Sequence, residues 1–385
     1  MNTSLYAQDG VNVEAGDTFS KIAGEVCRSS FDNSQFVEVM DFADGHFRGP
    51  RAFRLKNLPD GYFFDIAPDG IGTKVVVIDA AGEHYNSPQD LIAMTCGDIS
   101  RWGGKAVVFV NVLDVSNLEE PGSKTFEAFK MMMKGLSSVA RSNQLVCFRG
   151  ETAELRKCVA SENESATTKF NWAGFALGVY LPDRMITGES LAPGQVVISL
   201  RENGFRSNGL SSVRKALQIR FGNNWWNNEN ARTVLKEAST PSKLYDHFLC
   251  DMNGWTNPVR PPKYKIHLIT HVTGGGIVDK LAKDMLFPRG LSANLDNLFE
   301  PRNVVKDIIS WRGMSADEAY RTFNCGNGAL VVLDTKDAEP FIWDAKNYGI
   351  EAKICGTIRK TDLNKPFLTI KSKILPGDRT LSFES

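Results

Sequence analysis

What this chain lacks narrows its function before any motif is read. It has no excess of either charge: Lys+Arg and Asp+Glu both number 45, so the formal net charge is zero. Nucleic-acid binders show an excess or a cluster of basic residues, so DNA or RNA is not an expected partner. A local anion site stays open, because a few backbone amides and one or two cations suffice for a phosphate. Long apolar runs are also missing. The Ala106–Val110 stretch is far short of the roughly 18 residues that span a bilayer, so no membrane association is expected. No basic segment followed by an apolar one opens the chain, which predicts no secretory signal and a cytoplasmic location. The seven cysteines are odd in number and never at C-x-x-C spacing, against a compact zinc or redox motif. They read as reduced thiols packed as small hydrophobes. His267 and His271 lie four apart without an H-E-x-x-H pattern, so neither reads as a zinc ligand. No short-period repeat is present.

What is there suits a soluble globular chain. With 385 residues, 42% hydrophobic and 23% charged, two domains are expected at roughly 100–200 residues each. Residues 1 to about 60 read as irregular, with scattered glycines. Val75-Val76-Val77-Ile78 reads as a strand, Pro88–Trp102 as a helix, Ala106–Leu113 as a strand, Thr125–Ser142 as a helix, and Gln144–Phe148 and Phe175–Leu181 as strands. Helices crossing between strands imply an α/β (or α+β) layered domain, residues 1–182. A second unit, 183–385, has strands at Val196–Leu200, Ala329–Asp334 and Ala352–Thr357. Its expected helices are Ser211–Phe221, Pro241–Leu249, Gly276–Asp284, Val304–Trp311 and Ser315–Phe323. The Trp-rich stretch 222–230 reads as a surface loop, a covered insert or a partner site.

Several glycine-rich segments could carry chemistry. In Asp69-Gly70-Ile71-Gly72-Thr73-Lys74, two glycines let the backbone approach a ligand. Asp69 offers a hard oxygen for magnesium, and Lys74 a point charge for phosphate. The segment is expected to run into a strand, unlike a P-loop, and a plain turn is equally open. Asp98 falls near the end of the Pro88 helix, where a solvated acid is the bland reading. Gly150-Glu151-Thr152-Ala153-Glu154 follows the Gln144 strand, and ligands gather at the carboxyl ends of such strands. Asp69, Asp98 and Glu151 would make a magnesium set if they converge. Ser207-Asn208-Gly209 and Thr273-Gly274-Gly275-Gly276 each precede a helix, which suits either an anion site or simple N-capping. His271, beside the glycines, is a candidate ligand contact.

These segments, with Gly10–Gly16, Pro241-Ser242-Lys243-Leu244-Tyr245 and Tyr320-Arg321-Thr322-Phe323-Asn324-Cys325-Gly326-Asn327-Gly328, resemble the aminoimidazole ribonucleotide synthetase family, in order and over most of the chain. The resemblance implies two α/β domains, with the N-terminal domains pairing in a homodimer and the active site in a cleft at that interface. It implies ATP-dependent closure of formylglycinamidine ribonucleotide to aminoimidazole ribonucleotide, in purine biosynthesis, through phosphorylation of the formamide oxygen. Asp69, Asp98 and Glu151 would hold Mg2+ and the ATP phosphates, with Gly70, Gly72 and Thr73 beside them. Lys74 would neutralise charge. Gly45 to Gly49 resembles the loop that closes over the nucleotide. Ser207, Asn208, Gly209, His271 and Thr273–Gly276 would contact the ribonucleotide substrate.

The chain departs from the family pattern at Arg206, where His is usual, and at Gly97 and Pro68, where Asn and Thr are usual. Arg206 can bind a phosphate but cannot serve as a neutral base. Two alternatives follow: another ATP-using enzyme of the same superfamily, or a non-catalytic nucleotide-binding relative. Selenophosphate synthetase is disfavoured because Lys21–Cys27 does not build its reactive segment.

Overall fold

The computed structural model describes residues 13–42, 50–361, 365–374 and 379–385. Gly45 and Gly49 lie outside the described residues. Two compact units emerge, one of residues up to Ile99 with Lys105–Leu181, the other of Ser100–Gly104 with Pro182–Ser385.

The first unit is more regular at its start than the glycine content predicts. A helix, Val13–Ser29, is followed by the hairpin of β1 (Val37–Asp41) and β2 (Arg51–Leu55). Ala15, Phe19 and Cys27 on that helix are buried. Phe19 meets Phe126 and Phe129 edge-on at 6.1 and 6.3 Å, so tertiary packing organises a segment whose local pattern is weak.

The main sheet of this unit contains β3 (Phe63–Gly70), β4 (Lys105–Val115), β5 (Val146–Glu154) and β6 (Phe170–Tyr180), in the order β3-β6-β4-β5. The β4–β5 pair is parallel and the others antiparallel. Along β6, Phe170, Trp172, Gly174 and Ala176 are buried while Asn171 and Phe175 are exposed, the period-two mark of a sheet covered on one face. Helices Ser87–Ser100 and Lys124–Ser142 supply that cover. A Cβ on Gly178 would come within 2.6 Å of Ile99, and Phe129 lies edge-on to Phe170 at 5.8 Å. β3 contains Pro68, which argues against a central strand, but β3 is an edge, where a missing N–H is tolerated.

Two expectations are corrected here. The Val75–Ile78 run is not a strand; it belongs to the helix Lys74–Ala81, closed by Gly82 at φ 70°. A β-branched residue costs a helix only up to about 0.7 kcal/mol relative to Ala. Burying a valine or isoleucine side chain returns about 1.5–3 kcal/mol, and Val77 and Ile78 are fully buried. Tertiary burial therefore overrides local preference. Gly150–Glu154, expected after a strand, lies within β5 itself.

In the second unit β7 (Val196–Arg201), β8 (Leu268–His271), β9 (Leu291–Leu295), β10 (Asn327–Leu333), β11 (Ala352–Lys360), β12 (Phe367–Lys371) and β13 (Thr380–Glu384) form one sheet. Its order is β13-β12-β9-β11-β7-β10-β8. Only β12–β9 is parallel. Ile198, Leu200, Phe248, Val331 and Phe341 pack into its core. Helices stand at Leu210–Phe221, Asn303–Arg312 and Ala316–Thr322, as the periodicity predicts. The helix expected over Pro241–Leu249 instead runs from Asp246 to Met252, and the segment after the glycines is a π-helix, Val278–Leu286. The Trp-rich stretch lies at the surface, with Asn223, Asn224, Asn227 and Asn230 exposed, but it is anchored by Trp225, which is 2% exposed and meets Trp226 edge-on at 5.4 Å. Both units are layered α/β structures, the expected fold class.

Candidate functional site

In the first unit, β3 ends at Gly70 and the helix Lys74–Ala81 begins four residues later. The loop between them is therefore a strand-to-helix turn, correcting the strand expected there. Gly72 adopts φ 61°; it and Thr73 are exposed at the helix N-terminus, while Ile71 is buried and donates its N–H to Trp172 O at 3.1 Å. Free N–H groups at such a turn suit phosphate.

Asp69 stands on β3 opposite Gly174, on the face covered by helix Ser87–Ser100, which carries Asp98. Partial burial pushes the Asp69 carboxyl above its usual range, and the neighbouring Asp98 carboxylate raises it further, against the N–H of Gly70 donated at 2.6 Å. A carboxyl whose pKa is raised by burial and by a neighbouring carboxylate is arranged for a cation. The pair fits Mg2+, which is commonly held by one or two carboxylates plus substrate phosphates and waters.

Glu151 does not join them within one chain. The register sets Asp69, Gly174, Asn111 and Gly150 in one row across the sheet. Glu151 is one residue beyond Gly150, hence on the opposite face, and three strand spacings from β3, about 14 Å. Among the described residues, no group of three or more His, Cys, Asp or Glu is placed to hold a metal. The expected triad is thus a pair, because strand alternation sends Glu151 the other way.

Lys74 is also placed otherwise than expected. It is fully buried, and its Nζ lies 2.7 Å from Asp90 Oδ1, itself 1% exposed. Its charge is matched inside the unit rather than offered to a phosphate. Nothing local in the sequence marks Asp90 as the partner, since the two sit on different helices.

In the second unit, Arg206 adopts φ 57° and is 1% exposed. Its guanidinium donates to Glu202 Oε2 at 3.0 Å, to Lys243 O at 3.2 Å and to His271 Nε2. It also lies 5.5 Å from the Tyr245 ring centre. An exposed phosphate-binding arginine is not what the fold builds; Arg206 is the centre of a buried network. Because guanidinium only donates, His271 accepts at Nε2 and carries its proton on Nδ1. Burial, followed by the Glu202 carboxylate, holds the Tyr245 hydroxyl well above its ordinary pKa. Glu202 was missed by sequence reasoning, because its four-residue spacing from Arg206 signals a pair only on a helix, and this segment is not helical.

Around this network the glycine-rich segments meet. Gly209 (φ 71°) presses on Phe323, with a built Cβ 2.5 Å from the ring. A Cβ on Gly276 would lie 2.0 Å from Tyr320 O. Gly274 is less crowded, its nearest neighbour being Asn208 Oδ1 at 3.6 Å. The Ser207 Oγ is buried without a hydrogen-bond partner among the described residues. The Tyr320–Gly328 segment itself is a packing device: Asn324 Nδ2 donates to Gly204 O, and Asn327 Oδ1 accepts from Ser199 and Phe299.

These features define a two-domain α/β protein of the aminoimidazole ribonucleotide synthetase type. Residues 54–179 match the N-terminal domain of AIR synthase related proteins and residues 192–368 match their C-terminal domain. The chain therefore belongs to the AIR synthase related family, as a divergent member. The phosphoribosylformylglycinamidine cyclo-ligase of Methanococcus maripaludis is 27% identical over 358 residues, 92% of this chain and 91% of that protein. The protein of the same name from Pyrococcus furiosus is 28% identical over 336 residues, 87% and 89% of the two chains. Among solved structures, hydrogenase maturation protein HypE in complex with ATP shares the fold, with a TM-score of 0.56 at 14% identity over 82% of this chain and 84% of that one. The family and the names of these relatives indicate a ligase-type enzyme.

Proposed function

We propose that the protein is an ATP-dependent cyclo-ligase that converts formylglycinamidine ribonucleotide to aminoimidazole ribonucleotide, ADP and phosphate. The observation that carries this reading is the Asp69–Asp98 pair beside the exposed strand-to-helix turn at Gly70–Thr73. Carboxylates beside the exposed Gly72 and Thr73 at a helix N-terminus suit a magnesium nucleotide, and the relatives from Methanococcus maripaludis and Pyrococcus furiosus are named as cyclo-ligases.

In this reading Asp69 and Asp98 hold Mg2+, which when bound neutralises phosphate charge. Gly70–Thr73 cradles the phosphates. The γ-phosphoryl passes to the formamide oxygen and ADP leaves. The amidine nitrogen then attacks the formyl carbon, the ring closes, and phosphate departs with that oxygen. Positioning and charge neutralisation supply most of the rate, as in phosphoryl transfer generally. The Ser207–Gly209 turn and the Thr273–Gly276 loop hold the substrate, Ser207 Oγ supplying an unpartnered hydroxyl. Arg206 acts as a positioning residue, fixing the His271 tautomer.

The homodimer is part of this proposal. On the sheet face opposite the helices, Phe64, Ile66 and Phe175 are 58, 61 and 36% exposed, and a patch of this kind marks a pairing surface. Glu151 stands on that face, so any part it takes in the site belongs to the pair rather than to one chain.

The test is a coupled assay with ATP, Mg2+ and formylglycinamidine ribonucleotide, following aminoimidazole ribonucleotide and ADP. Product that is lost in Asp98→Asn, in a variant that still folds, supports the proposal. ATP binding without ring closure in the unaltered protein overturns it in favour of another superfamily reaction or a non-catalytic role.

A further inference from the structure

We propose that Ser190, His267 and Asp334 of the second unit form a nucleophilic site that accepts the acyl group of small activated esters. Ser190 Oγ lies 2.8 Å from His267 Nδ1, and His267 Nε2 lies 3.0 Å from Asp334 Oδ1. A carboxylate only accepts, so Nε2 carries the ring proton and Nδ1 accepts from the Ser190 hydroxyl. A serine that donates to a histidine, itself held in that tautomer by a carboxylate, is the arrangement that makes a hydroxyl nucleophilic.

The sheet brings the three together. β10 runs antiparallel to both β7 and β8, with Leu333 opposite Val196 and Val332 opposite Leu268. The end of β10 and the starts of β7 and β8 therefore share one edge. Asp334 follows β10, His267 precedes β8, and Ser190 lies in the loop that leads into β7. That loop is pinned around the serine. Arg289 donates to Thr187 O at 2.9 Å and to Gly188 O at 3.1 Å, and Gln195 Nε2 donates to Ser190 O at 3.0 Å.

The surroundings favour chemistry over a plain structural contact. Ser190 is exposed while His267 is 3% exposed, so the nucleophile meets solvent and its base is held inside. The Ser190 N–H donates to no protein acceptor among the described residues, and the nucleophile's own N–H is a ready oxyanion donor. Asp334 occupies the N-cap of helix Thr335–Asn347, where an aspartate ordinarily accepts from the helix N–H groups. It makes no such bond there, and its carboxylate turns to His267 instead.

In the reaction Ser190 Oγ attacks the ester carbonyl as its proton passes to His267 Nδ1. The C–O bond to the alcohol breaks, and the alcohol leaves with that proton. Water then attacks the acyl-serine, gives a proton to His267, and the acid departs as Ser190 Oγ takes the proton back. With one oxyanion donor and an Asp334 side chain 41% exposed, charge stabilisation is modest. The substrates are therefore esters with good leaving groups rather than amides.

This inference is independent of the ring-closure reading, and its test reads no ring closure. The full chain is incubated with a fluorophosphonate probe, whose fluoride leaves as the Oγ–P bond forms, and the labelled residue is located by mass spectrometry. Hydrolysis of p-nitrophenyl acetate is followed in parallel. Ser190 should be labelled, and Ser190→Ala should lose the label and most of the hydrolysis. His267→Gln removes the base and should slow labelling by about a hundredfold. Asp334 is a positioning residue; Asp334→Asn favours the wrong histidine tautomer and should slow labelling by about tenfold or more. Thermal midpoints are recorded for every variant. A purely structural network lowers those midpoints and leaves Ser190 unlabelled in the parent, which overturns the proposal. Labelling only at another residue, or equally fast at Ser190 in the parent and in Asp334→Asn, overturns it too. If His267→Gln does not fold, Asp334→Asn, altered at a partly exposed side chain, carries the test.

Discussion

The buried pair Lys74–Asp90 separates two readings of a lysine that the sequence places at a phosphate site. Both side chains are essentially inaccessible, at 0 and 1%, with 2.7 Å between charges. Lys74→Met removes one partner and leaves the Asp90 carboxylate buried. Breaking such a pair costs about 3–5 kcal/mol, far more than the 0–1 kcal/mol of an exposed pair. For a cooperative unit of 150–250 residues that lowers the melting midpoint by roughly 6–20 °C. The double variant Lys74→Met, Asp90→Leu removes both charges and should recover most of the loss, since well-packed apolar replacements of buried pairs are often neutral or stabilising. Thermal unfolding by circular dichroism gives the stability, and calorimetric titration with a non-hydrolysable ATP analogue in Mg2+ gives the affinity. If the pair is structural, the single variant melts early and the double variant both melts late and binds the nucleotide. A single variant with an unchanged midpoint and a nucleotide affinity reduced tenfold or more would refute the burial argument and return Lys74 to the phosphate.

Further outcomes follow from the same geometry. The folded-state pKa of Asp69 is raised, so its ionised form is disfavoured by folding; that penalty is full above the folded pKa, shrinks as pH falls from there to the ordinary carboxylate value, and is gone below it. Asp69→Asn should therefore melt higher than the parent at neutral pH, lose that advantage in acid, and bind Mg2+–nucleotide at least about tenfold more weakly, read by unfolding scans across pH and by titration. Gly276→Ala should cost about 3 kcal/mol or more, because φ is 62° and the new Cβ meets a carbonyl oxygen at 2.0 Å. Gly274→Ala, with open space to 3.6 Å, should keep its midpoint, so any rise in substrate KM there reports a ligand contact. Ile66→Glu, on the exposed sheet face, should convert a dimer to a folded monomer in sedimentation velocity, with near-unchanged circular dichroism.

The longest regular elements were legible because their patterns are strong. Ala106–Leu113 and Thr125–Ser142 lie within observed β4 and helix Lys124–Ser142, where buried apolar runs and helical spacing agree with the final burial. Short strands such as β8 and β9, at four and five residues, offer too few positions for a period to show. β3 was hidden by a proline that only its edge position excuses. At the site, Asp69 was legible as an acid on a glycine-rich turn and Asp98 as an acid near a helix end, and in the fold Asp98 is near enough to raise the pKa of Asp69. The Ser207 and Thr273 loops also meet, although Gly209 and Gly276 are explained by close packing on Phe323 and Tyr320 rather than by ligand access.

By itself, the sequence determined the two-unit α/β architecture and the family. Both rest on the order of several motifs and on long hydrophobic runs, which survive in one dimension. Only the tertiary structure decided where the charges point. Val75–Ile78 is a helix because burial outweighs a fraction of a kcal/mol of strand preference. Glu151 turns away from Asp69 because one residue of register reverses the face of a strand. Lys74 and Arg206 face inward because Asp90, Glu202 and His271 meet them across the fold. A motif names the chemistry that a side chain can perform, and the partner packed against it decides whether that chemistry is available.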